Sequence, residues 1–138
     1  MEKVKLPKII EPIFKRQGYV LLDGGLASEL ERVHNLELDN HLWSASALLE
    51  NRDKIKAVHK SYLEVGANII TTASYQATFE GFEKVGFDRN KAKEFLQIAT
   101  QIAREAISEY CEERDIPKAE KPLMAASIVT FFSIVTFF

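Results

Sequence analysis

The sequence predicts an α/β fold built on a parallel sheet, and three observations carry that reading. Short apolar or β-branched runs at residues 19–22, 68–72 and 122–127 have the composition of buried strands. Between them lie two long stretches in which apolar residues recur every three to four positions, the period of an amphipathic helix. The resulting order is strand, loop, helix, strand, loop, helix, strand, which calls for right-handed crossovers and parallel pairing. In such a sheet ligand groups gather at the C-terminal ends of the strands, so Asp23, Thr72 and Ser127 should share one edge.

Each element has its own local reason. Residues 1–17 read as a polar N-terminal extension that mixes Lys3, Lys5, Lys8, Lys15 and Arg16 with Glu2 and Glu11. They lack the continuous apolar core of a secretory signal. Gly18 breaks that segment, and Tyr19 to Leu22 follows as a short buried strand. It ends in Asp23-Gly24-Gly25, which delivers a carboxylate and two residues without Cβ. Those glycines let a ligand approach main-chain N–H groups or let the chain take φ > 0. Asp-Gly is also the signal for a type I′ hairpin. Leu26-Ala27-Ser28-Glu29-Leu30-Glu31 favours the first reading, because it is not the alternating return strand that a hairpin needs.

Leu26 to Asn51 is a mixed connection whose Trp43 is expected to pack a loop onto the body of the domain. Asn51 is placed to cap a helix in which Ile55, Val58, Tyr62 and Val65 form the apolar face, and Gly66 sits where a left-handed C-terminal cap belongs. Asn68 to Thr72 is a second strand, without alternation and so covered on both faces. After a loop at 73–87, Asp88 caps a long helix with a stripe of Phe95, Ala99, Ile102, Ala103, Ala106 and Tyr110. Glu113 to Lys121 is charged, contains Pro117 and reads as a loop, and Pro122 to Ser127 is the third strand.

Composition narrows the function classes. The chain of 138 residues is the size of one domain, and its net charge of −2 with no basic block argues against nucleic acid or an anionic membrane as partner. No run reaches the ~18 apolar residues of a membrane-spanning helix. The single cysteine, Cys111, excludes an intramolecular disulfide framework and leaves a cytoplasmic location as the default. There is no Gly-x-Gly-x-x-Gly loop and no Gly-Lys-Ser or Gly-Lys-Thr loop, so nucleotide chemistry is disfavoured. Glu112 and Glu113 read as a solvated helix end, and Glu29 and Glu31, the acids near Asp23, are explained as well by helix solvation as by general-acid work.

Ser127-Ile128-Val129-Thr130-Phe131-Phe132 is repeated residue for residue as Ser133-Ile134-Val135-Thr136-Phe137-Phe138. Twelve residues without charge, glycine or proline have the character of an aggregation-prone strand unless something covers them. A native edge strand and a membrane-touching tail compete with the favoured reading, a hydrophobic tail at 128–138 foreign to the preceding domain.

The blocks Asp23-Gly24-Gly25 with Ser28-Glu29-Leu30, Leu42-Trp43-Ser44-Ala45, Val58-His59, and Gly66-Ala67-Asn68-Ile69-Ile70-Thr71-Thr72-Ala73-Ser74-Tyr75-Gln76-Ala77-Thr78 resemble the N-terminal part of the homocysteine S-methyltransferases. Their order and spacing make the resemblance specific, and it extends over about residues 19–127. It implies a (β/α)8 TIM barrel, a zinc ion, and methyl transfer from S-methylmethionine or S-adenosylmethionine to homocysteine, giving methionine. By the same analogy Asp23 holds the homocysteine ammonium, the Gly24 and Gly25 amides hold its carboxylate, and Thr72 or Ser74 adds a hydroxyl contact.

The resemblance also sets limits. The family's zinc ligands are three cysteines from later strands, and no counterpart occurs in this sequence. Cys111 falls in a helix, and His34, His41 and His59 match no zinc spacing, so zinc is not expected to bind this chain. Three parallel strands with two long helices leave a barrel unclosed. The expectation is therefore a partial barrel: a truncated homocysteine-binding domain at 18–127, inactive by itself. The rival is a non-catalytic module that pairs through an exposed sheet edge or through the tail.

Overall fold

The computed structural model describes residues 6–36, 50–74, 82–83, 86–128 and 134–137, with the side chains of residue 128 and of residues 134–137 left aside. The expected packing of Trp43 and most of the expected loop at 73–87 lie outside the described residues. Four α-helices, one turn of 3-10 helix at Lys118–Glu120 and a three-stranded sheet are described.

Helix α1 spans Glu11–Gln17, within the stretch read as a polar extension. Pro12 lies in its first turn, Lys15 and Arg16 in its last, and Gly18 closes it at φ 82° by donating its N–H to the Phe14 carbonyl. Helix α2 spans Leu26–His34, with Gly25 as N-cap and Asn35 in the left-handed region as C-cap. Helix α3 spans Arg52–Glu64. Asn51 precedes it, but its side chain makes no capping hydrogen bond, contrary to expectation. Val65, expected on the apolar face, is 74% exposed because the helix stops at Glu64. The turn after it is made by Gly66 at φ 98°.

Helix α4, Arg89–Glu113, starts as expected with the Asp88 carboxylate accepting from the Lys91 N–H. Its buried face holds Phe95, Ala99, Ile102, Ala103 and Ala106 as read from the period, together with Ile98 and Ile107, which the stripe left out. Tyr110 is only partly buried.

Strands β1 (Ile69–Thr71) and β2 (Leu123–Ile128) pair parallel, with Ile70 opposite Met124. On that face Ile70 and Met124 join Leu63 and Ala67 from the α3 side and Ala103, Ala106 and Ile107 from α4 in one buried cluster. A second cluster lies between α2, α3 and α4, where Phe82 stacks on Phe95 with centroids 4.9 Å apart. Burial of the first cluster holds α3 and α4 to the sheet, and burial of the second holds the helices to one another.

One part of the strand assignment requires correction. Residues 19–22 do not form a buried strand. They make a single parallel bridge, Leu22 to Ile69, and Tyr19, Leu21 and Leu22 are 59%, 41% and 56% exposed. The reason is position: among the described residues this segment is outermost, its hydrogen bonds going to Asn68 and to Ile69 of β1. The expected third strand, residues 122–127, does pair parallel as β2, and a further strand lies beyond it. Strand β3, Ile134–Phe137, pairs antiparallel with β2, Ser127 lying opposite Val135. The second copy of the repeat thus folds back on the strand that opens the first. Among the described residues the sheet is open, and no described helix is long and apolar enough to cross a membrane.

Candidate functional site

The parallel register decides what lies beside what. The Asp23 N–H donates to the Ile69 carbonyl at 3.0 Å, while the Asn68 and Ile69 amides donate to the Leu21 carbonyl. This brings the Asp23 side chain alongside Thr71. The Thr71 N–H donates to Asp23 Oδ2 at 2.7 Å, and the Thr71 hydroxyl donates to Asp23 Oδ1 at 2.8 Å. Burial pushes the Asp23 carboxyl up from its ordinary value, against the pull of the Thr71 hydrogen bonds and its own amide. Each carboxylate oxygen accepts one bond from Thr71 and keeps acceptor capacity for a ligand.

Gly24 and Gly25 follow directly. Neither has positive φ, and Gly25 lies at φ −69° as the N-cap of α2, which excludes the type I′ hairpin. Gly24 is needed for space: a Cβ there would stand 2.8 Å from Tyr62 Oη. The Tyr62 hydroxyl itself donates to the Gly25 carbonyl at 3.2 Å. Its phenol is pushed up by burial, then by the negative charges of Glu29 and Asp23, so it stays a donor at neutral pH. Among the described residues no acceptor meets the Gly24 or Gly25 amide. Both therefore remain available beside the positive end of the α2 dipole.

Thr72 and Ser74, both buried, form a closed ring with Ser127. The Ser127 N–H donates to Thr72 Oγ1 at 3.0 Å, and the Ser74 hydroxyl donates to the Ser127 carbonyl at 2.7 Å. The two hydroxyl oxygens are 2.6 Å apart. Since the Ser74 proton is already committed, Thr72 is the donor in that contact. Neither hydroxyl has a proton left to give, and each oxygen keeps one lone pair. The ring ties the C-terminal end of β1 to that of β2, and it can offer a ligand acceptors only.

Of the residues expected at the site, Asp23, Gly24 and Gly25 lie together at one corner, and Thr72 and Ser74 lie together with Ser127. Consecutive residues Thr71 and Thr72 join the two groups. Thr71 and Tyr62 were absent from the expected site. The Thr71-Thr72 doublet is the signal for the first, since adjacent residues of a strand reach to opposite sides. Glu29 is turned away to a bidentate pair with Arg32, which lowers its carboxyl below the ordinary value and ties it to its own helix.

The remaining titratable candidates lie elsewhere. His59 is fully buried in α3 with both ring nitrogens unpartnered among the described residues, and desolvation lowers its pKa to about 4. Cys111 is half-buried, its thiol pushed up chiefly by burial. Among the described residues no three His, Cys, Asp or Glu side chains are grouped to hold a metal ion.

With this geometry in view, residues 20–133 match the sequence model of the family described as homocysteine S-methyltransferase. The selenocysteine Se-methyltransferase of Brassica oleracea var. italica is 45% identical over 117 residues, which is 81% of this chain and 34% of that protein. Homocysteine S-methyltransferase 2 of Arabidopsis thaliana is 42% identical over 122 residues, 83% of this chain and 36% of that one. Among solved structures, the metallated form of the homocysteine methyltransferase MmuM from Escherichia coli superposes with a TM-score of 0.81 at 36% identity. That match covers 90% of this chain and 42% of the other. The chain spans about a third of the length of the curated relatives it matches, 34% and 36% of the two named here.

Proposed function

Since the chain belongs to the homocysteine S-methyltransferase family, we propose that it carries the part of the site that holds the amino-acid end of homocysteine. The observation that carries this reading is the corner formed by Asp23 and the unengaged Gly24 and Gly25 amides. A zwitterion needs an anionic acceptor for its ammonium and donors for its carboxylate, side by side. Asp23 supplies the first, and the two amides at the α2 N-terminus supply the second. Thr72 and Ser74 join as acceptors, because their protons are used in the ring with Ser127; their lone pairs suit the ammonium end and not the carboxylate.

The reaction proposed for the whole protein is transfer of a methyl group from a sulfonium donor, S-methylmethionine or S-adenosylmethionine, to the homocysteine sulfur. The donor's carbon–sulfur bond breaks, a new one forms at homocysteine, and the thiol proton leaves. The described residues do not fit the zinc ion that the resemblance implies. Cys111 is half-buried in α4, and the fully buried His59 ring belongs to no group of three ligand-type side chains among the described residues that could complete a metal site. Thiol activation is therefore not assigned to this chain. The order of residues 21–23, β1 and β2 suits the first three strands of a (β/α)8 barrel, with β3 standing antiparallel at the outer edge.

A second reading has its own observation. The exposed Tyr19, Leu21 and Leu22, on an edge left without a further strand among the described residues, favour a module that associates through that edge. The two readings separate in solution. Calorimetry of the purified chain with L-homocysteine should show binding, while incubation with homocysteine and S-methylmethionine should yield no methionine and metal analysis no stoichiometric zinc. Methionine formation would contradict the division of the site. Absence of homocysteine binding, with self-association in its place, would favour the second reading.

A further inference from the structure

We propose that Thr71 is the positioning residue for Asp23, setting the carboxylate orientation on which amino-acid recognition depends; this rests on the reading of Asp23 as the ammonium acceptor. The geometry is specific. One residue supplies both donors, a backbone N–H at 2.7 Å and a hydroxyl at 2.8 Å, and each goes to a different carboxylate oxygen. Two bonds to two oxygens fix both side-chain torsions of Asp23. The backbone donor is placed by the pairing of residues 21–23 with β1, and the hydroxyl by the stiff χ1 of a β-branched side chain.

The neighbouring threonine does something different. Thr72 gives its hydroxyl proton to Ser74 and accepts from the Ser127 N–H on β2, so the two adjacent threonines serve opposite sides of β1. Thr71 therefore has no substitute at this corner. Burial opposes the charged form of Asp23, and both Thr71 bonds favour it. A carboxylate that lost the hydroxyl bond would turn or take up a proton, and either change removes the fixed anion that an ammonium needs. The other charged or titratable groups close to this corner are Tyr62 and Glu29, and Glu29 is already paired with Arg32.

The test follows the Asp23 carboxyl by carbon-13 NMR in the full chain across an acid titration, for the wild type, Thr71→Val and Thr71→Ser. Thr71→Val, which keeps the shape and deletes the hydroxyl, should raise the Asp23 midpoint, and Thr71→Ser should restore it. In the unsubstituted chain the Thr71 amide proton should move with the Asp23 midpoint, which decides the matter even where a variant fails to fold. An unchanged midpoint in Thr71→Val, or a Thr71 amide that ignores the titration, overturns the proposal. Homocysteine affinity should fall about tenfold in Thr71→Val and recover in Thr71→Ser. If the unsubstituted chain binds no homocysteine, the functional reading fails, while the titration still decides the role of Thr71.

Discussion

A Cβ placed on Gly24 would lie 2.8 Å from the hydroxyl of Tyr62 and 3.0 Å from its Cε1, while that same hydroxyl holds the carbonyl of Gly25. The Asp-Gly-Gly turn is thus shaped from outside, by a helix side chain thirty-seven residues further along the chain. Gly24→Ala should push the ring aside and break the bond to Gly25, costing about 1 kcal/mol in urea denaturation. Tyr62→Ala should relieve the clash, so that the double variant is more stable than the sum of the two single losses implies. Simple additivity would contradict the contact.

His59 gives the fold an acid sensitivity. Its pKa in the folded chain is about 4, below the ordinary value of 6.5, so between these values the unfolded chain binds the extra proton. The stability contribution is complete above pH 6.5 and is lost as the pH falls toward 4, by about 3 kcal/mol at the limit. Asp23, raised above its ordinary value of 3.8, acts in the opposite sense: its ionisation weakens the fold as pH rises through its folded value. Thermal melts at pH 7 and pH 4.5 should show a fall in the wild type and a much smaller one in His59→Leu. An equal fall in both would remove His59 as the cause.

The ring of Thr72, Ser74 and Ser127 should behave as one unit. Thr72→Val leaves the Ser127 N–H without its partner, and Ser74→Ala does the same to the Ser127 carbonyl. Each should cost about 1–3 kcal/mol, the penalty for stranding a buried polar group. The double variant should lose less than the sum, measured by chemical denaturation, since either change opens the ring. A loss under a few tenths of a kcal/mol in both singles would show that the ring does not hold the strand ends together.

Strand β3 covers the outer edge of β2 with a segment that carries no charge. Removing residues 133–138 should therefore expose that edge and raise light scattering relative to the full chain at the same concentration. Unchanged scattering would mean that the pairing does not protect the edge.

The sequence was legible where local pattern and burial agree. The period of α4 and its Asp88 cap could be read because a 25-residue helix with one buried face repeats its signal many times. Helix α1 has seven residues and one buried side chain, Ile13, so periodicity says nothing, although Pro12 and Gly18 mark its two ends. Tyr-Val-Leu-Leu has the composition of a buried strand, but burial also needs a neighbour on the outer side, which no local signal reports.

The site divides in the same way. Asp23, Gly24 and Gly25 announce themselves as a strand end with bare backbone. Choosing Thr71 over Thr72 as the partner of Asp23 requires the register, set by the Leu22 to Ile69 bridge between distant segments. Tyr62 reads as one more apolar position on α3, and its second role depends on where its hydroxyl reaches across space.

The most direct measurement is a nitrogen-15 amide spectrum of the chain during titration with L-homocysteine. Saturable shifts at Gly24, Gly25 and Thr71, abolished by Asp23→Ala, are expected. Saturable shifts confined to other parts of the chain, with the Gly24 and Gly25 amides unmoved, would contradict it.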